Sequence, residues 1–249
     1  MARLMLNEEY WSKLRNTMNE HGIYNKSNLR NMVEGILYRM RIGCPWRDLP
    51  SEFGNWNTIY KKFNRWSSKG KLMKIFKTLA RDPDLEWEFI DGSIVKAHQH
   101  SAGAVSKENQ AIGKSVAGNT SKIHMAVDAY GLPNEFEITG GEVHDCKAAP
   151  ELIAKLPASN YIIADKGYDS EEIRDLIRTK LSSPIIPRKK NSIIGNDDMD
   201  WGLYKYRHLV ENVFSRLKQF RSIATRYDKL KRNYGSMLAM ACSYLWLPI

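Results

Sequence analysis

The chain is poor in cysteine, with only Cys44, Cys146 and Cys242 among its 249 residues. Their odd number and wide separation argue against a disulfide framework and against a paired-cysteine metal site. No run of 18 apolar residues occurs, so no membrane-spanning helix is predicted. The first residues, which include Glu8 and Glu9, lack the apolar core of a secretion signal. These absences predict a cytoplasmic globular protein with reduced thiols.

Acidic residues are also in deficit, since 28 Asp and Glu stand against 38 Lys and Arg, giving a net charge of +10. Such a charge favours a polyanionic partner, because each phosphate that a cation neutralises releases condensed counterions. The excess concentrates in residues 61–77 and 188–232, where it is interleaved with aromatic residues. Either cluster alone is equally compatible with a solvated helix face. Charge therefore favours nucleic acid as a partner without establishing it.

The pattern up to about Arg81 predicts three short helices, the first capped by Asn7 and the third by Asn55 or Asn57. The third helix has an apolar and a basic side. Such a pack resembles a helix-turn-helix DNA reader, although small three-helix packs also occur in proteins with no DNA partner. The apolar side carries Trp56, Ile59, Tyr60, Phe63 and Trp66, and the candidate DNA contacts are Lys61, Lys62 and Arg65.

Composition changes at Asp82-Pro83, and strand-like runs begin near Glu86. We therefore expect a helical DNA-binding domain over 1–85 and an α/β catalytic domain over 86–249. The long loop from Ser101 to Thr120 suggests a functional segment. Strands are expected near 87–95, 123–129, 134–139, 161–164 and 184–186, with helices near 150–156 and 171–180.

Two aspartates occupy special positions in these predicted strands. Asp91 interrupts the apolar run of the first strand, and Asp165 follows the apolar run Tyr161 to Ala164. A carboxylate inside a buried strand is costly unless the site is open to solvent or to a ligand. Taken singly, Asp91 could begin a turn and Asp165 could cap the next element.

Four polar residues near the C-terminus, Tyr204, Arg207, Glu211 and Lys218, are spaced for one side of a single helix. At about 100° per residue they fall within an arc of about 60°. The spacing predicts a helix that buries one side and presents a carboxylate flanked by cations at its edge. The adjoining apolar arc contains Leu203, Leu209, Val210, Val213, Phe214, Leu217 and Phe220.

This spacing of Tyr, Arg, Glu and Lys resembles the signature of bacterial insertion-sequence transposases of the DDE superfamily, in particular the group named after insertion sequence five. Asp91 within 89–93 and Asp165 within 164–169 match the group's motifs residue by residue. The stretch 43–50, with the aromatic residues that follow it, looks like the N-terminal domain of the same group.

The resemblance implies a ribonuclease-H-like catalytic domain, a mixed sheet flanked by helices, in which Asp91, Asp165 and Glu211 are the catalytic and metal-binding triad. Phosphodiester cleavage is served by two Mg²⁺ ions about 4 Å apart, with Mn²⁺ as a substitute, and Mg²⁺ prefers oxygen ligands. Tyr204, Arg207, Lys218 and Lys122 are then further candidate DNA contacts. Val116 and Ala117 stand where Arg and Gly are common in the group, which weakens a phosphate role for that loop.

The function implied is a transposase that binds terminal inverted repeats of double-stranded DNA, cleaves the ends and joins the 3′-hydroxyl to target DNA. Bringing two ends together implies a homo-oligomer on DNA, in the cytoplasm at the nucleoid and without a membrane partner. The alternatives are a catalytically silent DNA-binding repressor derived from such an element, and a nuclease that cleaves without joining. A zinc site is a further alternative, because His and Cys favour that metal. Its candidate ligands are His98, His100, His124, His144 and Cys146.

Overall fold

The computed structural model describes residues 3–102 and 110–249. Its backbone divides into two compact units, and each is built from more than one stretch of chain. The first unit contains Met1–Arg81, Ala97–Gln110 and Leu217–Ile249, and the second contains Asp82–Lys96 and Ala111–Arg216. The assignment of residues 1–85 as the DNA-binding domain and 86–249 as the catalytic domain stays a prediction.

The first unit is mainly helical. Asn7 caps its first helix by accepting a 2.7 Å hydrogen bond from the Tyr10 amide, and Asn55 caps the third through the amides of Asn57 and Thr58. The helices are α1 (Glu8–Glu20), α2 (Leu29–Ile42), α3 (Trp56–Ser68), α4 (Lys71–Leu79), α9 (Arg221–Ala224) and α10 (Lys231–Trp246), with a short strand β7 (Thr225–Arg226) between the last two.

The expectation of three helices before Arg81 was wrong, because the described part of that segment contains four α-helices. Gly70 adopts the left-handed conformation, with φ of 64°, and so separates α3 from α4. Glycine pays no Cβ penalty there. Helix α10 is buried along almost its whole length, and it packs on α3 and α4.

The second unit is a mixed sheet flanked by helices. Strand β3 pairs antiparallel with β1 and with the hairpin partner β4, while β5 pairs parallel with β1 and β6 pairs parallel with β5. The strands are β1 (Trp87–Ala97), β2 (Gly113–Ser115), β3 (Gly118–Val127), β4 (Pro133–Gly140), β5 (Tyr161–Ala164) and β6 (Ser183–Ile185). The helices are α5 (Asp145–Lys155), α6 (Glu171–Thr179), α7 (Trp201–Tyr204) and α8 (His208–Lys218).

The resulting order, β4-β3-β1-β5-β6 with β2 extending the β4 side, confirms the predicted ribonuclease-H-like class preceded by a helical region. Parallel strands need a crossover, and α5 and α6 supply it on the way from β4 to β5 and from β5 to β6. A buried apolar cluster beneath these strands includes Ile90, Ala164 and Ile177. It fixes the middle of β1 and the end of β5, where the two aspartates lie.

The expected long loop from Ser101 to Thr120 is shorter than predicted. Residues 113–115 form β2, and β3 already begins at Gly118. Side chains at this turn are held by hydrogen bonds, such as the 2.9 Å bond from Thr120 to Ser115. Residues 103–109, which belong to the same predicted loop, lie outside the described residues.

Candidate active site

The register of the parallel pair β1 and β5 places the two predicted catalytic aspartates side by side. Ile90 pairs with Ala164, so Asp91 and Asp165 are the next residues on neighbouring strands. Adjacent strands lie about 4.8 Å apart, and side chains in register share one face of a sheet. Asp165 also accepts a 2.7 Å hydrogen bond from the Gly167 amide, which orients its carboxylate at the strand end.

Arg207 connects this aspartate pair to Glu211. Its Nη1 donates a 3.0 Å hydrogen bond to Asp91 Oδ2, and its Nη2 donates to Glu211 Oε1, four residues along the chain. Glu211 is exposed, whereas Arg207 and Asp91 are half-buried. Charge-assisted hydrogen bonds of this kind are roughly twice as strong as neutral ones. One cation therefore joins the first and third acids of the predicted triad.

The ionisation of Asp91 reflects a crowded acidic site. Burial raises the pKa of Asp91 above its usual value, and the negative charges of Asp165 and Asp145 act in the same direction. The Gly92 amide and the Arg207 guanidinium oppose that shift without cancelling it. A site that gathers negative charge in this way favours the arrival of cations.

A fourth carboxylate lies beside the triad. Asp145, the first residue of α5, has its Oδ1 3.3 Å from Lys122 Nζ and 3.4 Å from His124 Nδ1. Burial alone would raise the pKa of Asp145, but the close contact with His124 and the Lys122 charge outweigh it and lower the pKa. A Cβ on Gly92 would lie only 2.4 Å from Asp145 Oδ1, so the glycine allows this close approach.

Lys122 is held within this arrangement. Its ammonium also donates a 2.8 Å hydrogen bond to the Val143 carbonyl, and its side chain is only 11% exposed. The candidate DNA contact Lys122 therefore orients Asp145 in this structure. Its predicted contact with DNA stays a prediction.

Sequence reasoning did not identify Tyr168 as part of the site. Its side chain is fully buried, and within the described chain its hydroxyl has no hydrogen-bond partner. Burial raises the pKa of Tyr168 well above its usual value, and the charges of Asp145, Asp91 and Asp165 add to that effect. Buried hydroxyl groups without partners are uncommon, and a catalytic role is one physical reason for them. The only sequence signal was its place in the motif that carries Asp165.

The prediction of a single helix through Tyr204, Arg207, Glu211 and Lys218 was wrong. The segment forms α7, then a 3₁₀ turn over Lys205–Arg207, then α8. A 3₁₀ turn advances about 120° per residue, so Tyr204 is rotated by roughly 60° from the expected direction. His208 Nδ1 lies 2.8 Å from the Lys205 carbonyl, where it competes with regular helical bonding.

The other predicted DNA contacts lie on two helices. Lys61 and Arg65 are exposed on α3, and Lys62 is half-buried there. Lys218 is half-buried at the end of α8, and burial lowers its pKa. The contact predicted between Arg207 and a phosphate concerns a side chain that here pairs with two carboxylates. These DNA contacts stay predictions.

The donor chemistry of the site suits a hard divalent cation, because the three acids offer only oxygen ligands. Among residues 3–102 and 110–249, no three His, Cys, Asp or Glu side chains converge closely enough to hold a metal ion as they stand. The same finding gives no support to the zinc alternative. Within the triad, Arg207 now supplies the positive charge between Asp91 and Glu211. A cation binding there would have to take over that role.

Asp91 and Asp165 on neighbouring strands and Glu211 on a following helix have the arrangement predicted for a DDE-type protein. Comparison with known families agrees: residues 89–246 match the transposase DDE domain, and residues 6–76 match a family assigned to transposases of the IS4/5 family. The chain belongs to the DDE transposase family, and its first helices resemble the IS4/5 family. Use of divalent metal is a property of that family.

Relatives carry the same assignment. The chain is 34% identical over 128 residues to a protein of Brucella ovis assigned as the transposase of insertion sequence element IS6501, covering 51% of this chain and 98% of that protein. It is 33% identical over 127 residues to the transposase of insertion sequence element IS1106 from Neisseria meningitidis, covering 49% and 44% of the two chains.

Solved transposase structures show distant similarity. A piggyBac transposase synaptic complex with hairpin DNA gives a TM-score of 0.39 at 10% identity, covering 75% of this chain and 50% of that one. A Mos1 transposase paired-end complex with the left transposon end gives 0.30 at 11% identity, covering 98% and 64%. Across the described residues, no helix has the length and apolar character needed to cross a membrane.

Proposed function

We propose that the chain binds the terminal inverted repeats of its own element, cleaves the ends by metal-dependent phosphodiester hydrolysis and joins the freed 3′-hydroxyl to target DNA. The observation that carries this proposal is the register of β1 and β5, which sets Asp91, in the middle of β1, beside Asp165, which follows the last residue of β5. Because the chain belongs to the DDE transposase family, we interpret this pair of carboxylates as ligands for the catalytic metal.

Asp91, Asp165 and Glu211 would hold the divalent ions, and we propose two Mg²⁺ ions with Mn²⁺ as a substitute. Such ions supply an activated water and neutralise charge on the attacking and leaving oxygens. In the first reaction the water oxygen bonds to phosphorus while the phosphorus–O3′ bond breaks and a 3′-hydroxyl leaves. In the second, that 3′-oxygen bonds to a target phosphorus, and the displaced target oxygen takes up a proton.

Arg207 would have two successive roles. Before DNA and metal bind, it neutralises Asp91 and Glu211. When the acids hold cations, its guanidinium is released for a two-pronged contact with a DNA phosphate. Lys218, seven positions after Glu211 on α8, would contact a flanking phosphate as a point charge, and Tyr204 would orient the same strand.

The DNA partner in this proposal is double-stranded, with residues 1–85 holding the transposon end and residues 86–249 carrying out the chemistry. Lys61, Lys62 and Arg65 would supply contacts from α3, and Lys122 would supply one near the acids. Pairing of two ends would need a second copy of the chain, so a homo-oligomer on DNA is part of the proposal.

The test is cleavage and joining of duplexes that carry the inverted repeats flanking the gene, in Mg²⁺. Glu211→Gln keeps the shape of the side chain and removes its charge, and we expect it to lose at least about 100-fold in rate, because several kcal/mol of charge stabilisation depend on bound ions. Glu172→Gln is the matched control, since Glu172 is an exposed acid in the first turn of α6. It should retain the native rate.

The outcomes separate this proposal from its alternatives. Specific binding without cleavage by the native chain would point to a DNA-binding repressor. Cleavage without joined products would point to a nuclease. Equal rates for the native chain and Glu211→Gln would remove Glu211 from the metal site.

A further inference from the structure

The first unit contains a basic pocket on the side of α3 next to the loop between α1 and α2. Its volume is about 260 Å³, and we call it the α3 pocket. Its apolar floor includes Leu29, Met32 and Trp66. Its cationic lining residues are Lys26, Lys62, Arg65, Lys69 and Lys71, and none of the described lining residues is acidic.

These cations are poorly neutralised. Within the described residues, no ion pair forms with Lys26, Lys62, Arg65 or Lys69. Lys71 Nζ donates a 2.7 Å hydrogen bond to the Gly22 carbonyl. Burial lowers the pKa of Lys71, and the charges of Lys69 and Arg65 lower it further. Like charges held this close repel one another, and a bound anion would relieve that repulsion.

Helix electrostatics account for only part of the cluster. Arg65 and Lys69 lie at the C-terminal end of α3, where cations are stabilised by the helix dipole. Lys71 lies in the first turn of α4, at the positive end of that dipole, where a cation is disfavoured. Lys26 comes from a separate loop. Three segments therefore bring positive charge to one place, and for Lys71 this is against the local preference of its helix.

We propose that the α3 pocket binds a phosphate of the DNA backbone. This inference rests on the proposed function, because it takes duplex DNA as the partner. Lys26, Arg65 and Lys69 are exposed at the pocket, so the phosphate of a continuous polymer can reach them. The consequence is a change of role for part of α3: Lys62 and Arg65 hold the backbone and do not read base edges, whereas Lys61 lies outside the pocket.

Phosphate contacts and base contacts have different signatures. Losing a phosphate contact weakens binding about equally on all sequences, and it reduces the slope of log K against log salt by about one. Losing a base contact relaxes specificity at one position and leaves the slope nearly unchanged. The ratio of the dissociation constants for the terminal-repeat duplex and an unrelated duplex therefore shows whether a residue of α3 contacts a phosphate or a base.

The experiment measures dissociation constants across a salt series for a duplex with the terminal repeat and for an unrelated duplex. The pocket variants are Lys62→Gln, Lys69→Gln and Lys26→Gln. The control is Lys74→Gln, which removes one exposed charge from α4 outside the pocket. We expect each pocket variant to weaken binding to both duplexes and to reduce the slope by about one. The control should keep the native slope.

Native slopes in all three pocket variants would overturn the inference, as would a loss confined to the terminal repeat. Stabilisation of the native chain by inorganic phosphate, with unchanged DNA slopes, would also overturn it, because the pocket would then serve the free ion. Melting temperatures equal to that of the native chain exclude misfolding, and the three variants lie on two separate segments. A further outcome is that the pocket variants reduce the slope as expected while the native chain does not cleave DNA. The proposed transposition would then be wrong, and the inference about the pocket would hold.

Discussion

The Arg207 guanidinium donates a 3.0 Å hydrogen bond to Asp91 Oδ2 while it also pairs with Glu211. It therefore competes with any cation for the same two acids. Arg207→Gln should bind Mn²⁺ more tightly, because the acids no longer have to release the guanidinium. Each 1.4 kcal/mol of binding free energy gained in this way lowers the dissociation constant about tenfold. It should nevertheless cleave DNA at least about 100-fold more slowly, because a charge aimed at the reacting phosphate is lost.

Titration calorimetry with Mn²⁺ measures the first effect, and single-turnover cleavage measures the second. Arg178→Gln is a suitable control, because Arg178 is an exposed cation of the second unit that pairs with Asp175. Such surface pairs contribute little. Weaker Mn²⁺ binding by Arg207→Gln would mean that the guanidinium supports the acids for metal and does not compete with it.

Tyr168→Phe removes the buried hydroxyl that has no partner within the described chain. An unsatisfied buried hydroxyl costs about 1–3 kcal/mol, so the free energy of unfolding should stay equal or rise by about 1 kcal/mol. Cleavage should fall, because a costly polar group beside three acids is expected to serve the bound state. Urea unfolding and cleavage rates of the same preparation test both effects. A less stable variant with native activity would contradict both expectations.

Gly92→Ala introduces a Cβ that would lie 2.4 Å from Asp145 Oδ1 and 3.3 Å from Lys122 Cδ. We expect a loss of about 1–3 kcal/mol in the free energy of unfolding. Removing the clashing oxygens in Gly92→Ala/Asp145→Ala should make the glycine substitution less costly, with a coupling of about 0.5–3 kcal/mol.

Gly195→Ala provides the matched control, since its nearest neighbours lie at 3.7 Å, which is ordinary contact. It should change stability by no more than about 0.5 kcal/mol. Additive effects of the Gly92 and Asp145 substitutions would show that the two residues do not interact.

Asp145 should make stability depend on pH. Its pKa lies below the ordinary 3.8, because the pairing with His124 and Lys122 outweighs the opposing effect of burial. A carboxyl with a lowered folded-state pKa binds fewer protons when folded. Its contribution is therefore complete above the unfolded pKa and is lost as pH falls through the folded pKa. The stability difference between the native chain and Asp145→Asn should be largest near neutral pH and shrink below the ordinary pKa.

Urea unfolding at a series of pH values measures this difference. Asp175→Asn is the comparison, because Asp175 also pairs with a cation but is 70% exposed. Its difference from the native chain should stay small at every pH. A pH-independent difference for Asp145→Asn would contradict the lowered pKa.

Local patterns predicted the strands that position the two aspartates. Alternation and apolar runs gave β5 with its observed bounds, and Gly131, with φ of 73°, forms the expected turn between β3 and β4. The side-by-side position of Asp91 and Asp165 could be expected only from the family resemblance. Strand register depends on partners distant in sequence, and no local pattern encodes it.

The sequence patterns did not predict three features of the structure. The 3₁₀ turn before α8 coincides with a local contact of His208 that periodicity does not detect. The Arg207 bridge to Asp91 spans 116 positions along the chain. Helix α10 is buried on nearly all sides, small polar residues included, so it lacks the amphipathic pattern that reveals a surface helix and indicates its partners.

The first unit brings together residues from the two ends of the described chain, and this has a consequence during synthesis. On the ribosome, α3 and α4 emerge long before α10, the helix that packs against both. Until then the apolar sides of α3 and α4 are exposed to solvent, and α3 lacks the packing that fixes its basic surface. The part proposed to hold DNA would therefore mature only after the acids have been translated. A nascent chain would be unable to occupy a transposon end before its own catalytic residues exist.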